Sequence, residues 1–123
     1  MKFECWLLEK YRSDAIGEPG REIYFTSAVS LKIPADCDAN DVAIIGVDTF
    51  TIDQGGTYLH MDGIADYSSA VGDPWDAMRP LCNRSARSMI EDMCAQKGPD
   101  TWFSFVFVEP GRPRLRLVYS RRC

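Results

Sequence analysis

The stretch DVAIIGVDTFTIDQGGTYLHMDGIAD constrains the fold of this chain more than any other. Two β-rich runs flank a Gly-Gly step, and short loops of this kind form the turns whose twist matches that of paired strands. Folded about Gly55-Gly56, the hairpin sets Ile52 against Leu59 and Phe50 against Met61, an expected core stripe. Side chains alternate along a strand, so Thr49, Thr51, Asp53, Tyr58, His60 and Asp62 share the opposite side.

The rest of the chain supplies partners for this hairpin. KFECWLLEKY fits either a strand or a helical turn, and the strand, paired with REIYFTSAVSLKI across the polar SDAIGEPG turn, is the preferred reading. After Tyr67, the residues Met78, Leu81, Cys82, Met89, Ile90 and Met93 keep helical spacing. Asp73-Pro74 reads as a cap followed by a first helical residue, and Gly98-Pro99 as the stop. Pro80 implies either a kink or a main helix that begins close to it. TWFSFVFVE and RLRLVYS form a second hairpin, pairing Phe107 with Leu115, Phe105 with Leu117 and Phe103 with Tyr119, with Arg114 and Arg116 beside Val108 and Val106. The expected fold is α+β: one domain over residues 1–123, with an antiparallel sheet of about six strands and one main helix packed on one face. A chain of this length buries roughly two thirds of its unfolded surface and so holds a core of its own.

Charge is divided along the sequence. Residues 1–78 carry five basic against fourteen acidic side chains, and residues 79–123 carry nine against four. Between Lys32 and Arg79 there is no basic residue, while nine aspartates fall there. Aspartate favours caps and turns, where its carboxylate reaches backbone N–H groups, and any remainder creates a negative field that steers basic partners. The sequence pI of about 4.9 opposes a nucleic-acid partner, despite the arginines at 112, 114, 116, 121 and 122.

Most chemical motifs fail on inspection. PADCDANDV resembles the opening of a calcium loop, but the bend position is Asp41 in place of glycine and the twelfth position is Val47 in place of glutamate. His60 is the sole histidine, which excludes multi-histidine metal centres, and no cysteine stands where it would face His60 and Asp62 as a nucleophile. The five cysteines are irregularly spaced without a C-x-x-C pair, so the internal ones read as free, mostly buried thiols. No metal, cofactor or enzymatic activity is expected. MKFECWLLEKYRSD lacks the pattern of a secretory signal, and no run reaches the length of a membrane span, so the expected location is cytoplasmic.

A small acidic α+β chain with a late helix followed by WFSFVFVEPGRPRLRLVY resembles the small cytosolic bacterial immunity proteins that neutralise polymorphic or contact-delivered toxins. The resemblance implies a protein-binding inhibitor of a basic, nuclease-like toxin. On the residues themselves, the candidate partner-binding set is Asp36, Asp38, Asp41, Asp53, Tyr58, His60 and Asp62. A phage-encoded inhibitor of host defence would share these features. The rival reading is a small enzyme or ligand-binding domain with a cavity between sheet and helix, lined by Trp6, Trp75, Trp102, Met78, Met89 and Met93.

Overall fold

The first apolar run folds as a helix, α1 (Phe3–Lys10), in the computed structural model, which describes residues 3–18 and 20–110 and the backbone of residues 116–118. Phe3, Leu7 and Leu8 lie at helical spacing and are buried, whereas Glu9 and Lys10 are exposed. The expected strand is therefore a helix. Cys5 departs from the free-thiol reading because it is disulfide-bonded, while Cys37, Cys82 and Cys94 are free.

The partner of the next strand is instead β1 (Ala15–Ile16), which pairs antiparallel with β2 (Tyr24–Thr26). The long strand expected from Arg21 onward stops at Thr26, whose hydroxyl accepts the Val29 N–H at 3.4 Å and caps α2 (Ser27–Ser30). Pro34 follows in the first turn of α3 (Ile33–Ala39), where its missing N–H costs nothing. The acidic PADCDANDV stretch is thus largely helical. It ends with Asp41 in the left-handed region, φ 56°, as the Val42 N–H reaches the Cys37 carbonyl at 2.9 Å.

The predicted hairpin forms from β3 (Ala43–Asp53) and β4 (Gly56–Asp66), with a register two residues from the expected one. Phe50 pairs with Leu59, Ile52 with Thr57 and Asp53 with Gly56, so Gln54-Gly55 is the turn. Asp53 decides this, because its carboxylate accepts the Gly55 N–H at 2.8 Å and closes the loop early. Gly56 then takes φ 138°, open to glycine alone among common residues.

The core side of the hairpin is the reverse of the expected one. Met61 is 77% exposed and Leu59 43%, whereas Thr49 is fully buried. The cause is α4 (Trp75–Lys97), which packs on the Thr49 side and brings the Met93 sulfur close to Gly63. The helix runs unbroken through Pro80, and Pro74, not Asp73, holds its N-cap position. Gly98 ends it with φ 95°.

β5 (Trp102–Glu109) is the hub of the sheet. Five strands run in the order β1-β2-β5-β3-β4, and β6 (Arg116–Val118) pairs with β5 off that path. Phe107 faces Val118, Val108 faces Leu117 and Glu109 faces Arg116, a slip of three residues from the expected register. Pro110 and Pro113 have no N–H to donate, which works against tight pairing next to the turn. The expected pairings to Leu115 and Tyr119 and the placement of Arg114 fall outside the described residues.

The protein is α+β, with an antiparallel sheet and one long helix against it. Phe25, Phe103 and Phe107 of the sheet join Leu7 of α1, Ile33 and Cys37 of α3, and Ala86 and Ile90 of α4 in the main core. A second cluster joins Ala43, Ile45 and Val108 to Met78 and Cys82 near the start of α4. Among the described residues, no helix is long and apolar enough to cross a membrane.

Candidate functional site

The seven residues singled out from the sequence fall into two groups with different structural surroundings. Asp36 and Asp38 lie on α3 and Asp41 at its end, whereas Asp53, Tyr58, His60 and Asp62 lie on the β3–β4 hairpin.

The first group is tied into the fold. Asp36 accepts the Tyr11 hydroxyl at 2.5 Å and the Lys10 ammonium at 2.8 Å, fastening α3 to α1. Lys10 also lies over the rings of Trp6 and Tyr11, 4.9 and 5.1 Å from their centroids. The hydrogen bond from Asp36 raises the Lys10 pKa, while burial first and the Asp36 bond second raise that of Tyr11. Asp38 accepts from Arg79 and, at 2.8 Å, from the Asn83 amide. Asp41 accepts the Trp75 indole N–H at 2.7 Å and stands 3.2 Å from Arg79 Nε. Burial, then the charges of Asp36 and Asp38, push the Cys37 thiol well up, so it is a protonated core group.

The hairpin group is looser. Asp53 shapes the turn, and Tyr58 lies back over it so closely that a Cβ on Gly55 would come within 2.6 Å of the phenol oxygen. Thr51 Oγ1 and His60 Nε2 share a hydrogen bond of 2.7 Å. Asp62 accepts from Lys97, in the last turn of α4, at 2.9 Å, and that bond holds its carboxyl below the usual range. Among the described residues, no group of three or more His, Cys, Asp or Glu stands where it would hold a metal ion.

Sequence reasoning assigned the other face of the hairpin to the core. Phe50 pairs with both Leu59 and Trp102, and Asp48 pairs with both Ile64 and Ser104, so these six side chains share the face turned away from Thr49. Tyr24 joins them, its ring edge-on to Phe50 at 4.9 Å between centroids. Burial first and the charge of Glu22 second push the Asp48 carboxyl up. The signal was available in the alternation of VDTFTI, once the side covered by α4 was known.

The residues of the expected cavity have varied surroundings, with Met89 and Met93 lining one shallow groove on α4. Met93 belongs to the main core and Met78 to the second cluster, Trp75 binds Asp41, and Trp6 is exposed against Phe3. No family model, curated protein or solved structure matches this chain.

Proposed function

We propose that this protein is a protein-binding inhibitor, an immunity protein that neutralises a basic, nuclease-like toxin in the cytoplasm by covering its surface. One observation carries this reading. Among the described residues, four of the seven exposed large apolar side chains, Tyr58, Leu59, Met61 and Ile64, belong to β4, the terminal strand of the sheet order. They sit in the sequence interval that holds no lysine or arginine. Exposed apolar groups offer contact energy and the net negative charge of residues 1–78 offers steering, the two properties a binder of a basic protein needs.

The test is co-expression with the product of the neighbouring reading frame, followed by purification of the complex and measurement of association rates. Growth protection and a stable complex are expected. Charge reversal at Asp53 and Asp62 should slow association strongly at low ionic strength and weakly at high ionic strength. Equal rates for parent and variant at low salt would remove the hairpin from the interface.

A further inference from the structure

The carboxylates of this molecule differ in one respect that composition hides. Asp36, Asp38, Asp41 and Asp62 each have a lysine or arginine within the fold. Asp48 has no ion pair among the described residues, although it lies half-buried in the middle of a strand between Ile64 and Ser104. Its electrostatic neighbour is another acid, Glu22, which accepts the Tyr24 hydroxyl at 2.9 Å. Burial and a like charge both disfavour the ionised form, consistent with the raised pKa of Asp48. A central strand position beside apolar residues is ordinarily filled by a β-branched or aromatic side chain. An acid there, with no cation to offset it among the described residues, is complementary to a positive charge that a partner would bring.

The surroundings define what would carry that charge. Tyr24 and Trp102, both partly exposed, set aromatic rings on the same face over the buried Phe50, and Leu59 and Ile64 are 43% and 45% exposed at its edge. Aromatic faces attract ammonium and guanidinium groups, and exposed aliphatic side chains take the apolar neighbours of such a group. We propose that this sheet face, centred on Asp48 and Glu22, is the surface that receives the partner, binding a lysine or arginine presented by an extended protein segment with apolar side chains beside it. The inference rests on the inhibitor reading and places its centre on the Asp48 side of the β3–β4 hairpin.

The probe is a synthetic peptide in which lysine alternates with valine, titrated into isotope-labelled protein and followed by amide chemical shifts. Shifts are expected at Tyr24, Asp48, Phe50 and Ile64. Asp48→Asn and Asp48→Thr should each weaken binding at least tenfold while keeping or raising the urea midpoint, since a merely structural aspartate would lower it. Glu91→Gln, on the exposed side of α4, should change the affinity less than twofold. Absence of binding, shifts confined to the turn at Asp53, or full affinity in both Asp48 variants would overturn the proposal. So would self-association of the free protein through the same residues, which would make the occupant a second copy. Toxin protection that survives Asp48→Asn sinks this face and leaves the inhibitor reading intact. Peptide binding at Asp48 without any protective partner does the reverse.

Discussion

Replacing Asn83 with alanine should cost about 3 kcal/mol of stability, more than any other polar truncation at the junction of α3, β3 and α4. Asn83 is fully buried on α4. β4 pairs with β3 only as far as Gly46, so the β3 backbone beyond that point needs other partners. Asn83 Oδ1 accepts the Ile44 N–H at 2.8 Å, and its Nδ2 donates to the Val42 carbonyl at 2.9 Å and to Asp38 at 2.8 Å. Asp38 is exposed enough to regain water, but Ile44 and Val42 are fully buried. Each buried group left without a partner costs about 1–3 kcal/mol, so two of them give a loss centred near 3 kcal/mol. In a domain of this size, that lowers the melting temperature by on the order of 10 °C. Urea unfolding of parent and Asn83→Ala, with equal m values, measures it directly. Asn83→Asp is the sharper control. It keeps an acceptor for Ile44 but turns an oxygen toward the Val42 carbonyl and the Asp38 carboxylate, so it should be at least as damaging at neutral pH. A loss below about 0.5 kcal/mol for Asn83→Ala would refute the view that this side chain completes the sheet.

Three further outcomes follow from contacts elsewhere in the fold. A Cβ at Gly63 would stand 2.5 Å from Thr49 Cβ and 3.1 Å from the Met93 sulfur, so Gly63→Ala should destabilise by about 1–3 kcal/mol, read as a lower urea midpoint. Thr49→Val should act the other way by about 1 kcal/mol, because the buried Thr49 hydroxyl has no hydrogen-bond partner among the described residues. The lowered pKa of Asp62 means that its bond to Lys97 supports the fold above the ordinary aspartate range and is lost as pH falls through the depressed value. The gap in urea midpoint between parent and Lys97→Met should therefore narrow on acidification below that range.

The elements legible in the sequence were those whose pattern extends over many residues. Met78, Cys82, Ile90 and Met93 marked α4, and the alternation on both sides of Gln54-Gly55 marked the hairpin. Short elements were not. Phe3 and Leu7 stand one helical turn apart, but in eight residues that spacing competes with a plausible strand, and tertiary packing decides between them. Sidedness was lost for a related reason. Phe50, Ile52, Leu59 and Met61 form the more apolar stripe of the hairpin, yet α4 covers Thr49, because Gly63 opens space there for Met93. The acidic interval was visible, but its neutralisation was not. Lys10, Arg79 and Lys97 lie outside the interval in sequence and meet its aspartates only through the packing of α1 and α4.

The central place of β5 governs the order of assembly during synthesis. β2 pairs along the start of β5, β3 runs along its other edge, and β1–β2 reach the hairpin strands through β5 alone. A nascent chain can zip β3 onto β4 early. It has no means of joining its first strands to that ribbon until Trp102–Glu109 has emerged from the ribosome, so closure of the sheet waits for the synthesis of β5.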